Sequence, residues 1–453
     1  MSYEGGALWA HRFGEVGLPD YSLSTGGLSS SQRTTVSSNG NVYLTGTFTN
    51  TVTFGGSTLV APGPARAAYI AVFDKNGVHQ WSKAFSGSDV VGFGGLVIEP
   101  SGALVLVGSF GGTIDFGGGP LTSTGPVDPF FLRLSQAGEH LFSRAYSGSG
   151  GQGFGRAFAV GTDVIVAGGQ GGGASIDFGE GPITNSLFVV RLNRTNGDHV
   201  WSRQPTTGQI NVADMAVDSA GSIVFSGGLV GTFDWGNDPV TGMGNQDIIV
   251  TKLTTNGVPL WTKRYGDERI QRALSVTTGP SNEIVIGGVM GGTVDFGPGP
   301  MKPVMPTDPA IATAFVAKLD ANGNGVWSKV YSTNGAQVQA AAAAVAVDLT
   351  GNVVLSGTAG CALDFGSGPV PAKDGVANIF VAKLSAQSGT PLWRKGWAGN
   401  VQPYAKNAGR QLATDSQGNT LLTVSFEKMP LDVGTGPLAP ISELDLILSK
   451  FGP

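Results

Sequence analysis

Two opposite charges recur along this chain at regular distances. An Asp heads an Asp-Phe-Gly-like tract at Asp115, Asp177, Asp234, Asp295, Asp364 and Asp432, and a Lys or Arg follows in an apolar run at Arg133, Arg191, Lys252, Lys318, Lys383 and Lys450. The seventh copy of the tract has Thr53, and there the basic position is Val72. Joint loss of both charges predicts an ion pair within each repeat, Asp115 with Arg133 and onward to Asp432 with Lys450. Such a pair adds little if exposed and is costly to break if buried. A Ca²⁺ at each Asp is the functional alternative. One carboxylate falls short of the roughly 6–8 oxygens that Ca²⁺ takes unless backbone carbonyls complete the shell, so no metal and no other cofactor is expected. Protein kinases also use Asp-Phe-Gly, once, beside a Gly-rich loop, a strand Lys and a His-Arg-Asp loop. Those companions are missing here.

Stepping from the charges to the elements that must carry them, an apolar-Trp-Ser-Lys-like tetrad occurs seven times. Its copies are Leu8 to His11, Gln80 to Lys83, Leu141 to Arg144, Val200 to Arg203, Leu260 to Lys263, Val326 to Lys329 and Leu392 to Lys395. With the Asp-Phe-Gly tract and a Phe-Val-Ala-Lys-Leu-like run (Phe315 to Leu319), three markers keep the same order in all seven repeats. Between tetrad and tract lie two apolar runs joined by a tight turn such as Asp218-Ser219-Ala220-Gly221. Each repeat is therefore four strands, with tight turns from first to second and from third to fourth. Ala340 to Ala344 has helical propensity, but the repeat register makes it a first strand. Seven four-stranded units predict an all-β, seven-bladed β-propeller. The first tetrad lies at the N-terminus and the last third-strand run at the C-terminus. Residues 6–13 are thus expected to complete the last blade with 410–453, closing residues 1–453 into one ring.

Length and composition agree. Of 453 residues 73 are Gly and 25 Pro, and more than twice the ~7% of Gly in ordinary proteins fits a chain with many turns. A hydrophobic fraction of 41% supplies a core, while 13% charged residues and a net charge of −5 offer no basic field for nucleic acid. No apolar run reaches the ~18 residues of a membrane span, and the N-terminus lacks the charged and apolar regions of a signal peptide. Cys361 is the only cysteine, which leaves no intramolecular disulfide and predicts a buried spectator.

The run Ile379 to Leu384, the tetrad Leu392 to Lys395 and the turn Asp415 to Asn419 resemble the repeat of bacterial extracellular β-propeller proteins of the SBBP type. The resemblance spans essentially the whole chain and implies an exported, cell-surface or periplasmic protein.

In a propeller the short turns lie on one side of the disc and the second-to-third and fourth-to-first connections on the other. The second set is long here, at Gly14 to Gln32, Pro62 to Ala67, Ser147 to Gly155, Met301 to Ala312, Tyr331 to Gln339 and Ala398 to Gly409. That side is the expected binding face. Arg156, Arg272 and Arg410 stand near the start of first strands, placed to anchor a carboxylate, sulfate or phosphate or to pair with a neighbouring loop. Tyr21, Trp397 and Tyr404 offer stacking surfaces for sugars, and Asp267, Glu268, Asp20 and Asp214 are the scattered carboxylates nearby. His79, His140 and His199 precede tetrad aromatics on outer strands, too far apart to share Zn²⁺. Gly pairs such as Gly94-Gly95 open no helix and so cradle no phosphate. A monomeric, non-catalytic module for a glycan, a small anion or another protein is the expected function. A hydrolase or lyase at the channel mouth is the alternative, which would require clustered carboxylates or His.

Overall fold

The computed structural model describes residues 5–14, 33–62, 66–171, 173–303, 313–333, 340–360, 362–366, 368–370, 372, 377–401, 411–426, 430–439 and 445–453. Among these every regular element is a strand. The chain groups into two compact bodies, residues 13–209 with 255–257, and residues 1–12, 210–254 and 258–453.

The first body holds three antiparallel four-stranded sheets, each in chain order. Repeat one is Arg33–Val36, Val42–Phe48, Ala67–Phe73 and His79–Phe85. Repeat two is Val91–Ile98, Leu104–Phe110, Asp128–Leu134 and His140–Ala145, and repeat three is Gln152–Val160, Asp163–Gln170, Leu187–Asn193 and His199–Arg203. The second body holds repeat four (Ile210–Val217, Ile223–Leu229, Asp247–Leu253, Pro259–Tyr265) and repeat five (Gln271–Thr278, Ile284–Met290, Thr313–Leu319, Gly325–Thr333, with Leu363–Asp364 as a fifth strand). It also holds repeat six (Ala340–Val347, Val353–Ala359, Ala377–Leu384, Pro391–Val401) and repeat seven. Repeat seven takes Gln411–Thr414, Thr420–Phe426 and Asp445–Phe451 from the C-terminal region and Ala7–Phe13 as its outer strand.

Second and third strands are mostly apolar and buried, as at Val42–Phe48 and Ala67–Phe73, with the third-strand bases among the charged exceptions. Except in repeat five, fourth strands are sheet edges. They carry Lys83, Arg144, Arg203 and Lys263, the cationic residues that keep an edge from pairing with another chain. Within each body successive sheets stack through their first strands: Gln152–Val160 on Val91–Ile98, and Gln271–Thr278 on Ile210–Val217 and on Ala340–Val347. That crowding explains the alanines. Ala342 is fully buried, and a side chain at Gly357 would strike the Ala341 backbone. Packing therefore overrides helical propensity at Ala340–Val347.

The Asp-x-x-Gly turns form as the sequence predicts. Asp218 Oδ1 accepts hydrogen bonds from the amides of Ala220 (3.0 Å) and Ser222 (2.8 Å), and Gly221 takes φ +79°, the left-handed region open to glycine.

One element is absent from the sequence reading. The second-to-third connection holds its own two-stranded hairpin, as at Thr113–Asp115 with Pro120–Thr122, and the Asp-Phe-Gly tract is its tip.

Candidate functional site

The tract aspartates do not pair with the strand bases. Asp115 Oδ1 accepts the amide hydrogens of Gly117 (2.7 Å) and Gly119 (3.0 Å). Asp177, Asp295, Asp364 and Asp432 bond the glycines two and four residues on, and Asp234 bonds Gly236 and Asn237. These side chains cap hairpin tips, the ordinary local use of Asp in a turn.

Each base instead meets an acid at the first-to-second turn. The pairs are Arg133–Glu99 (2.8 Å), Arg191–Asp163 (2.8 Å), Lys252–Asp218 (2.9 Å), Lys318–Glu283 (3.2 Å), Lys383–Asp348 (2.9 Å) and Lys450–Asp415 (2.8 Å). Several bases also donate into the next repeat: Lys252 to Ala321 O, Lys318 to Ala386 O and Lys383 to Gly418 O. Each such ammonium ties its own turn to the sheet stacked on it. Repeat one has Ser37 at the turn position and Val72 at the base position, so the pair is lost as a unit.

Aromatic residues lock the same junctions. The fourth-strand aromatic packs on the next repeat's tract Phe, as in Tyr265–Phe296 (4.5 Å between centroids) and Tyr331–Phe365 (4.5 Å). The tetrad Trp lies under a turn Gly of the next repeat: Trp81 under Gly138, Trp261 under Gly323 and Trp327 under Gly389. Burial pushes the Tyr265 phenol far above its usual value, and its hydroxyl donates to Gly323 O (2.9 Å). His79 and His140 cover the tract glycines of their own repeats, and His199 stacks on Phe178.

The candidate ligand-binding residues divide. Tyr21, Tyr404 and Arg410 lie outside the described residues, as do Asp20 and Cys361. Arg156 and Arg272 do not occupy equivalent positions. Every first strand from repeat two to repeat six carries a bulge, at Gly94, Gly155, Ala213, Leu274 and Ala343. Arg156 follows its bulge residue and Arg272 precedes its own by two. Trp397 is half-buried. It continues the fourth strand, pairs with Ile379 and packs on Phe451 (5.5 Å), because repeat seven has Val433 where other tracts carry an aromatic.

Asp267 is likewise tied down. Its carboxylate accepts from the amides of Arg269 (3.0 Å) and Thr293 (2.6 Å) and from Gln271 Nε2 (2.5 Å). Burial pushes it up, but these bonds and the Arg269 charge outweigh that and hold it below the usual carboxylate range. Asp214 is buried and accepts from Ser275 and Val276.

What remains chemically available in the second body is the connection Gly266–Ile270 and the strand it opens. Arg264 is committed to Asp247 (3.2 Å) and Gly266 O (3.1 Å). Arg272 is exposed, and neither it nor Arg269 donates a side-chain hydrogen bond among the described residues; Arg269 Nη1 is buried without a partner. Arg269 escaped the sequence reading because the matching connections, residues 86–90 and 147–151, carry Asp89 and Gly150 in its place, so no column of basic residues marks it. A shallow cleft of about 280 Å³ lies on the short-turn side of repeats six and seven, between Leu349, Thr350, Leu392, Ser416 and Pro453. Its polar floor is the Asp348–Lys383 pair, already committed to structure.

No protein-family model matches the chain, and no curated protein matches it in sequence. Solved structures similar to it include a chain of a mitotic checkpoint complex (TM-score 0.46, 11% identity, covering 100% of this chain and 95% of that one). Virginiamycin B lyase from Staphylococcus aureus gives TM-score 0.43 and 8% identity, covering 97% and 99%. YCF48 bound to a D1 peptide gives 0.42 and 10%, covering 96% and 98%. At these values the likeness carries no argument, and the reading of the chain rests on its own residues.

Proposed function

We propose that the seven sheets are the blades of one β-propeller, closed by Ala7–Phe13 as the outer strand of the last blade. The chain serves as a monomeric, exported or surface-displayed scaffold that binds an anionic ligand without turning it over. Repeats stacked sheet on sheet, with an outer strand borrowed from the other end of the chain, support the ring. The observation that carries the binding reading is the contrast in the use of charge. Six acid–base pairs are bound up at the turns, while Arg269 and Arg272 stand at one fourth-to-first connection with guanidinium donors unspent. A planar fork of N–H donors suits carboxylate and sulfate groups, and acidic glycans present both.

The test is an array of sulfated and carboxylated glycans probed with the full chain. Binding that is lost in Arg272→Ala and Arg269→Ala supports the proposal. Silence on every acidic glycan, or turnover of a bound one, contradicts it.

A further inference from the structure

Repeats two and three depart from repeats four and seven at one buried spot. Asp128 opens the third strand of repeat two and is fully buried. Its counterparts are Asp247 and Asp445, and each has a guanidinium from the fourth strand of its own sheet, Arg264 at 3.2 Å and Arg12 at 3.9 Å. In repeat two that position is Ala145, which pairs with Phe130 as Arg264 pairs with Ile249. Thr124 satisfies Asp128 Oδ2 through its amide (2.7 Å) and hydroxyl (3.0 Å), whereas Oδ1 is buried without a partner.

Two more buried oxygens lack partners in the adjoining repeat three, Gln152 Oε1 and Gln170 Oε1, on residues only 2% and 4% exposed. Gln152 and Gln170 are direct cross-strand partners, so their side chains leave the same face of the sheet. The Gln152 amide donates to the carbonyl of Val127, the residue before Asp128 (2.9 Å). Two bonds fix the orientation of the Gln170 amide and one longer bond that of Gln152. Gln170 Nε2 donates to the carbonyls of Ile183 (3.0 Å) and Asn185 (2.9 Å), and Gln152 Nε2 to that of Ser175 (3.3 Å). Carbonyls only accept, which leaves each Oε1 on the unsatisfied side.

The corresponding place between repeats four and five shows how the group converges. There Asp247 Oδ1 and Gln271 Oε1 both border the space above Gly266, with Arg264 supplying the positive charge and Met290 standing where Gln170 stands. In repeats two and three the guanidinium is gone, Ser147 stands where Gly266 stands, and a third oxygen has replaced the methionine.

A buried carboxylate with no ion-pair partner among the described residues is strongly unfavourable, and the sheet that meets its strand adds two buried oxygens without partners. We infer that Asp128 Oδ1, Gln152 Oε1 and Gln170 Oε1 hold an alkali-metal cation, Na⁺ or K⁺, in place of the guanidinium present at the sister sites. All three donors are hard oxygens, and their single negative charge matches the unit charge that Arg264 and Arg12 provide. Ca²⁺ takes about 6–8 oxygens, usually with several carboxylates, and the site has one carboxylate.

The test compares the full chain's melting temperature in sodium, potassium and tetramethylammonium chloride at one ionic strength of roughly 0.15 M. The inference predicts a melting temperature about 2–4 °C higher in at least one alkali salt. The difference shrinks in Gln170→Met and vanishes in Ala145→Arg, which restores the sister-site guanidinium. Equal melting in all three salts, or an undiminished salt difference in Asp128→Asn, overturns it. If the variants do not fold, rubidium-soaked crystals of the unaltered chain decide. An anomalous peak about 3 Å from Asp128 Oδ1 supports the site, and ordinary water density there, or a site occupied only by added Ca²⁺, overturns it.

Discussion

Replacing Lys383 by Val should destabilise the chain severely, and replacing Asp348 by Ser at the same time should rescue most of the loss. In the intact protein Lys383 Nζ lies 2.9 Å from Asp348, with side chains 4% and 3% exposed, so water screens the pair poorly. Lys383→Val leaves a buried carboxylate uncompensated, at a cost of about 3–5 kcal/mol, and forfeits the bond to Gly418 O, about 1 kcal/mol. Asp348 keeps its bonds from Thr350 and Asn352, which places the loss at the lower end. Asp348→Ser strands the ammonium with Gly418 O alone and should cost about as much. The double variant recreates the Ser37 and Val72 combination of repeat one, and there only the inter-repeat bond and local turn bonds are lost, about 1–2 kcal/mol. Denaturant unfolding of the four proteins should therefore give a coupling of about 4–7 kcal/mol. Losses that add to within about 0.5 kcal/mol would refute the assignment of the pair.

Other outcomes follow from the same junctions. Asp295→Ala and Lys318→Val should add in a double-mutant cycle, since one caps a hairpin tip and the other meets Glu283; strong coupling would restore the direct pairing expected from sequence. Gly389→Ala should lower the melting temperature by several degrees, because its φ is +66° and the new Cβ would stand 2.7 Å from Trp327 Cε3; an unchanged melting curve would remove the Trp–Gly contact from the account. Burial pushes Asp348 and Asp415 up, but hydrogen bonds from Lys383, Lys450 and the turn residues outweigh it and hold both below the usual carboxylate range. Their stabilisation is complete above the unfolded value of ~3.9 and is lost as pH falls through the lower folded value. The acid limb of a melting-temperature profile should flatten in the Asp348→Ser, Lys383→Val double variant.

Much of this was legible in the chain because period and turn chemistry agree: seven tetrads and the Asp-x-x-Gly turns place the four strands of each repeat, even through Ala340–Val347. The two-residue strands of the tract hairpin were not, since so short a run leaves no alternation to read. The ion-pair partner was misassigned for a specific reason. Repeat one lacks Asp at both Ser37 and Thr53, so the loss of the base at Val72 fits either acid. Asp163 and Glu283 sit on the far side of their turns, which hides the true column of acids. Arg156 and Arg272 fell into one column because their turns begin with Gly161 and Gly279, with no acid at the head to fix the count back along the strand. The buried Gln pair of repeat three gave no sequence signal, as its meaning lies in the guanidinium missing at Ala145.

The closed ring is tested most directly by removing residues 1–13 and adding them back as a peptide. Ala7–Phe13 is the outer strand of repeat seven, Gly452 donates to Gly6 O (2.8 Å), and Gly5 sits on Trp393. Closure predicts that the truncated chain melts well below the full one and that the peptide restores the melting temperature in proportion to its concentration. A truncated chain that melts with the full-length protein and ignores the peptide would contradict the ring.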